Sequence, residues 1–245
     1  MRCVIMQPTY LPWAGYFNLI ASSDTFVFLD DVQYKKTSWQ NRNRVLVKGK
    51  PQWLTVPAVR SGLNDLIMTI GLDDHQRWRE KHCRLITQEF SKHPYGQEFS
   101  FVTEIIADAS TNRLADLNIR IIVALAERLG LAKTFTRSSA LDIGGSRSER
   151  LLAICRHFSC DEYLSPLGSR DYLMDDGAFQ HSCIRLQFQN YIPGEYPQKN
   201  VQKFVGFLSV LDVIANIGWE AASHYVKTGN YIADKTTFDT TNLKG

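Results

Sequence analysis

Short apolar runs dominate the start of this chain, and helical periodicity dominates the rest. Residues 2–6 (RCVIM) are apolar and stop at Gln7-Pro8, which predicts a buried strand. Residues 12–22 (PWAGYFNLIAS) place Trp13, Tyr16, Phe17 and Ile20 on one face at i, i+3, i+4 and i+7. That spacing predicts a helix with Pro in its first turn. Residues 25–30 (TFVFLD) form a second β-branched and aromatic run. Strand, short helix, strand predicts a parallel βαβ unit, hence an α/β fold with a Rossmann-like beginning.

The next stretch reads as antiparallel. Residues 44–48 (RVLVK) and 52–56 (QWLTV) flank Gly49-Lys50-Pro51, which predicts an inserted hairpin, and residues 65–71 predict one more strand. Helices take over after residue 75. Residues 75–91 follow Asp73 or Asp74 as N-cap, with Trp78, His82, Leu85, Ile86 and Phe90 on the buried side. Residues 97–109 and 112–129 read as two more helices, the second followed by Gly130 at C′. Residues 133–137 predict a strand, and Ser146 with Glu149 at capping-box spacing opens a helix to His157. Tyr163-Leu164-Ser165 ends at Pro166, and residues 184–190 (IRLQFQN) alternate as a strand does. Residues 204–217 predict a buried helix closed by Gly218. The expectation is one α/β domain over residues 1–226, helix-rich in its C-terminal part, with a loosely ordered tail over 227–245.

Composition narrows this only slightly. With 245 residues, 44% hydrophobic and 22% charged, the chain reads as an ordinary globular protein able to bury a core without metal or disulfide. A net charge of +3 is too small to argue for nucleic acid. No apolar run reaches 18 residues and the N-terminus lacks a secretory apolar stretch, so the expected location is the cytoplasm with no membrane partner. Five cysteines, with no CxxC pair, read as reduced thiols, and no metal site is expected.

The candidate chemistry sits at the predicted strand ends. In open parallel sheets ligands bind beyond the carboxyl ends of strands. Gln7, Thr9 and Tyr10 follow the first strand; Asp30, Asp31, Gln33 and Tyr34 follow the second. Lys35, Lys36, Arg42 and Arg44 add positive charge, Trp39 a stacking face, and Gln40, Asn41 and Asn43 paired donors and acceptors. This set suits a polar ligand with phosphates and a flat ring, or a sugar; a solvated basic loop is the bland reading. The Asp30-Asp31 pair has three uses open to it: a Mg²⁺ ligand, a general base, or a strand-end cap. His82 is either a core residue on an apolar helix face or a general base. Ser165, Gly168, Ser169 and Tyr172 make a second polar patch, and Gly144-Gly145-Ser146-Arg147 a turn before a helix. Asp212, inside an apolar helix, requires a partner, an Arg or a backbone N–H cluster, and reads as a structural anchor.

The stretch MQPTYLPWAGYFNLIASSDTFVFLDDVQYKKTSWQNRNR, with Trp78, His82, EYLSPLGSRDYL and FVGFLSVLDVIANIG, resembles the WbqC-like family over most of the chain. One departure is Ser165-Pro166, where the family pattern has Ser-Gly. Members accompany genes for O-antigen and other surface polysaccharides, and some accompany natural-product pathways. The resemblance implies acyl or aminoacyl transfer to the amine of a nucleotide-linked amino sugar. It implies no tightly bound cofactor, and a CoA or carrier-protein thioester as acyl donor, an acyl carrier protein being one potential partner. On this reading His82 is the base and Asp31 orients it or the amine. Gln7, Thr9, Tyr10, Asp30, Gln33, Trp39, Asn41, Arg42, Ser165 and Tyr172 hold the substrate. Two rival readings stand beside it. Nucleotidyl transfer would want a His–Gly–His signature where this chain has Trp13-Ala14-Gly15-Tyr16. A non-catalytic nucleic-acid or partner-binding protein would use the mixed bases and aromatics of YKKTSWQNRNR.

Overall fold

Side-chain alternation along the first strand sets the architecture. β1 (Arg2–Met6) turns Val4 to one face of a sheet and Cys3 and Ile5 to the other, and β2 (Thr25–Phe28) does the same with Phe26 and Phe28 against Val27. Both faces are therefore buried, as in a parallel sheet covered by helices on each side. The computed structural model describes residues 1–131 and 133–232. It confirms the βαβ unit: β1 and β2 pair in parallel, joined by α1 (Ala14–Ala21). Pro12 precedes this helix by two residues rather than sitting in its first turn, and Trp13 is the N-cap.

The hairpin pairs β3 (Arg42–Val47) with β4 (Lys50–Thr55). Its turn is Lys48-Gly49, both with positive φ (51° and 77°), the two-residue form that matches strand twist. Lys50 and Pro51, expected in the turn, are strand residues instead. Pro is tolerated there because the sheet has only two strands and every strand is an edge. A second small ribbon joins β5 (Ala58–Val59) to β6 (Gly71–Leu72). The strand expected over 65–71 is a 3₁₀ turn, Ile67–Thr69, that leads into β6.

The helices follow: α2 (Trp78–Phe90), α3 (Ser100–Ala107) and α4 (Leu114–Arg128). Asp73 caps a 3₁₀ turn, Asp74–Gln76, that precedes α2. β7 (Phe135–Arg137) pairs in parallel with β2. α5 (Arg147–His157) starts at Ser146, but the hydroxyl makes no cap bond, so the capping box is not formed. β8 (Glu162–Ser165) pairs in parallel with β1, α6 (Arg170–Asp176) follows, and β9 (Arg185–Phe188) pairs in parallel with β8. α7 (Val210–Thr228) starts six residues later than the apolar run suggested, with Ser209 as its cap. Gly218 interrupts α7 (φ 78°, ψ 172°) rather than closing it, and a Cβ there would lie 3.0 Å from the Tyr95 ring. Helix α7 thus takes in Lys227 and Thr228, the first two residues of the expected tail; residues 233–245 lie outside the described residues.

The main sheet runs β7-β2-β1-β8-β9. In order along the chain these five parallel strands read 3-2-1-4-5. The winding therefore reverses between β1 and β8, the Rossmann-like arrangement whose crevice opens at that switch point. The core on one face joins Val4, Phe26 and Phe28 to α1, α4 and α7; the core on the other joins Cys3, Ile5 and Val27 to α5 and α6.

Candidate functional site

β1 and β8 are neighbours with Cys3 opposite Tyr163, so the loops after Met6 and Ser165 leave the sheet side by side. A cavity of about 290 Å³ opens there. Gln7 and Thr9 after β1, Lys35, Ser38, Trp39 and Gln40 after β2, and Tyr163, Ser169 and Tyr172 around β8 line it. A second cavity of about 430 Å³ shares Met6, Thr9 and Trp39 with the first, so the two are lobes of one cleft. Among the described lining residues of both lobes are two fixed cations, Lys35 and Arg44, and no carboxylate. Such a lining favours an anionic ligand.

Backbone and amide bonds hold the polar lobe in shape. The Gln40 amide donates to Gln7 Oε1 (2.8 Å), and Gln40 Oε1 accepts from the Lys35 N–H (2.9 Å). Asn118, buried in α4, donates to the carbonyls of Pro8 (3.2 Å) and Gln40 (2.7 Å) and ties both loops to the helix layer. The Tyr10 N–H donates to the Trp39 carbonyl at 3.0 Å. Burial pushes the phenols of Tyr163 and Tyr172 up, so both stay protonated donors near neutral pH.

The structure brings together only some of the residues singled out above. Gln7, Thr9, Trp39 and Tyr172 line the cleft. Ser165 is fully buried at the end of β8 and does not line it. Tyr10 points the opposite way from Thr9, into the core, where its hydroxyl and His82 Nδ1 are hydrogen-bonded at 2.9 Å. His82 also packs edge-on against Trp78 and lines none of the cavities described. Burial, helped by the charge of Lys81, lowers its pKa to about 4, so it is neutral at pH 7. Asp30 has no exposed surface: it accepts from Ser139 N–H (3.1 Å) and Ser139 Oγ (2.8 Å) in the turn after β7. Asp31 pairs with Arg150 of α5 and accepts from Ser138 Oγ. The Asp pair therefore binds the end of β2 to its neighbours. Gln33 bonds Leu63 and Asn64 on an exposed loop, and Asn41 donates to the Val56 carbonyl inside the hairpin base. Arg42 lies over the Trp53 ring at 4.3 Å, outside the cleft. Asp212 has neither an Arg nor a backbone N–H cluster: its Oδ2 accepts from the Tyr196 hydroxyl and the Gln198 amide, and its Oδ1 makes no hydrogen bond.

Asn118, Ser138, Ser139 and Phe207 did not stand out in the sequence. Asn118 alone carries a signal, as an amide within the apolar helical run LADLNIRII. Among the described residues no three His, Cys, Asp or Glu side chains cluster as a metal would need, and no helix is long and apolar enough to cross a membrane.

The model of the WbqC-like protein family matches residues 7–224, and the chain belongs to that family. An uncharacterized protein of Mycobacterium tuberculosis, Rv1507c, is 31% identical over 227 residues, covering 91% of this chain and 96% of its own length. No solved structure matches the chain. The family takes its name from an O-antigen locus, and membership supports a biosynthetic role.

Proposed function

From membership of the WbqC-like family and the position of the cleft, we propose that this chain is a biosynthetic transferase. It holds a nucleotide-linked amino sugar in the polar lobe and directs an acyl or aminoacyl group onto the sugar's amine. The observation that carries this reading is the cleft at the carboxyl ends of β1 and β8, at the switch point of a 3-2-1-4-5 sheet, where such folds bind nucleotides. Its carboxylate-free lining, with Lys35, suits a diphosphate. Trp39 offers a stacking face, and the Gln7–Gln40 pair offers amide edges to sugar hydroxyls.

The donor on this reading is a thioester, from CoA or an acyl carrier protein. The amine nitrogen attacks the thioester carbonyl; the C–N bond forms, the C–S bond breaks, and the amine's proton leaves with the thiolate as the free thiol. The cleft contributes orientation of the amine against the thioester, with the Tyr172 hydroxyl as a donor to the sugar, rather than a carboxylate or imidazole base. His82 and Asp31 then act as supports: His82 holds Tyr10, and Asp31 holds Arg150.

The test is a binding panel of UDP- and dTDP-linked amino sugars, read by calorimetry, followed by mass spectrometry with acyl donors. Lys35→Ala is expected to weaken the sugar nucleotide about tenfold while stability stays within about 0.5 kcal/mol, because its side chain is exposed. If no sugar nucleotide binds, or if Lys35→Ala binds as tightly as the native chain, the reading fails.

A further inference from the structure

The second lobe of the cleft differs in chemistry from the first. Its walls are Met6, Pro12, Trp13, Tyr16, Trp39 and Phe207, with Asn43 and Arg44 as the polar members beside Thr9. Three observations mark it as a built pocket. The first is the floor. Trp13 folds back over Gly15, where a Cβ would lie 2.2 Å from the indole, so glycine at this position lets the ring lie flat against α1. The second is strain. Leu11 and Phe207 both have left-handed backbones, φ 45° and 58°, in residues that carry side chains. Such conformations persist where the surroundings impose them, and they gather at ligand sites. The Asn43 amide holds the Leu11 carbonyl at 2.6 Å. Phe207 keeps its ring 5.1 Å from Trp13 although 55% of the residue is exposed, an apolar ring held at the mouth of an apolar cavity.

The third observation is a missing partner. The Arg44 guanidinium lines the lobe with the Trp53 ring 5.7 Å from its central carbon, and its single side-chain hydrogen bond is a long one, Nη2 to the Gly206 carbonyl at 3.5 Å. A guanidinium with five donors and so few of them used, at the wall of an apolar cavity, calls for an oxygen acceptor. No carboxylate among the described lining residues supplies one. Asn43 Oδ1 accepts from the Arg44 backbone N–H at 2.7 Å and makes no hydrogen bond to the Arg44 guanidinium.

We infer that this lobe is the binding site for an acyl group. An apolar chain lies among Trp13, Tyr16 and Phe207, and its carbonyl or carboxyl oxygen accepts from the Arg44 guanidinium that lines the lobe. The inference deepens the reading proposed above and rests on it for one point only, that the acyl group is a donor. The two lobes meet at Thr9 and Trp39, so a carbonyl carbon there would face an amine held in the polar lobe. A free carboxylic acid and an acyl thioester share this chemistry, and the experiment separates them.

Octanoyl-CoA, octanoate and CoA are titrated separately into the full chain, followed by tryptophan fluorescence, since Trp13 and Trp39 line the lobe, and by calorimetry. Both octanoyl ligands, or octanoyl-CoA alone, are expected to bind at least tenfold more tightly than CoA. Octanoyl-CoA alone identifies a thioester pocket; equal binding of octanoate identifies a free-acid pocket. Arg44→Gln and the half-exposed Phe207→Ala are each expected to weaken the octanoyl ligands about tenfold, and Phe207→Ala, which lines only this lobe, to leave UDP-glucosamine affinity within about twofold. The inference is overturned if neither octanoyl ligand exceeds CoA, or if both variants bind them as the native chain does. Octanoyl binding without any sugar-nucleotide binding would keep this lobe and sink the transferase reading; the reverse pattern would do the opposite.

Discussion

Thr9 and Tyr10 are consecutive residues with opposite fates. Thr9 lines both lobes of the cleft, whereas Tyr10 turns into the core and is bound there by His82. The same division repeats one strand over, where Leu29 lines the cleft and Asp30 is fully buried against the turn after β7. The residue types that look most chemical, an imidazole and paired carboxylates, are consumed by the scaffold. The cleft is lined by less conspicuous amides, hydroxyls, a lysine and aromatic rings. The contrast breaks most directly at His82. His82→Ala removes a buried ring and strands the Tyr10 hydroxyl, so it is expected to cost about 3 kcal/mol of stability by urea denaturation. The folded fraction should bind the cleft ligand with unchanged affinity. Lost turnover at an unchanged urea midpoint would return His82 to the chemistry.

The same residue gives a pH test of somewhat smaller size. A free imidazole titrates at 6.5, but burial lowers the folded value of His82 to about 4. Between these values the unfolded chain takes up a proton that the native chain refuses. Stability from this group is therefore complete above pH 6.5 and falls as the pH drops toward 4, by at most about 3 kcal/mol. Asp212 works in the opposite sense, since burial raises its pKa and the native chain keeps its proton above the unfolded value of 3.8. Comparing the native chain with His82→Gln cancels that contribution. The stability difference between the two should shrink by up to about 3 kcal/mol from pH 7 to pH 4. A difference that stays constant would mean that His82 is hydrated in the native chain and takes up its proton as it does unfolded.

The same division explains what was legible in the sequence. The strands of the main sheet were foreseeable, β1 and β2 from short apolar runs bounded by Pro or polar residues and β9 from its alternation. The rim followed from topology, since polar groups after β1 and β2 converge once those strands are neighbours. The hairpin turn was misplaced because Pro51 reads as a breaker, while Lys48 gives no sign of accepting a left-handed conformation. The start of α7 was misplaced because apolar content continues through Phe204–Leu208, where Gly206 and the strained Phe207 prevent a helix. The partners of Asp30 and of Tyr10 lie about 108 and 72 residues away along the chain, and no local pattern announces them. Pairings of that kind decide which polar residue stays free for a ligand.

The smallest expected effect lies on the open side of the comparison. Arg42 covers Trp53 at 4.3 Å, and Trp53 in turn lies 5.5 Å from Trp39, the ring shared by both lobes. Both indoles are more than two-fifths exposed, so this stack sits in water, where a cation–π contact contributes about 0.5–1 kcal/mol. Arg42→Ala should therefore lower stability by less than about 1 kcal/mol. Its effect on binding travels through Trp53, which backs Trp39, and should weaken a cleft ligand only about two- to threefold. Arg42→Lys should not restore that loss, because an ammonium lacks the planar face that stacks on indole. A stability loss approaching that of His82→Ala would show that the hairpin is built into the core like Tyr10. Full rescue by Lys would show that charge, and not the stacked position of Trp39, is what the cleft draws from Arg42.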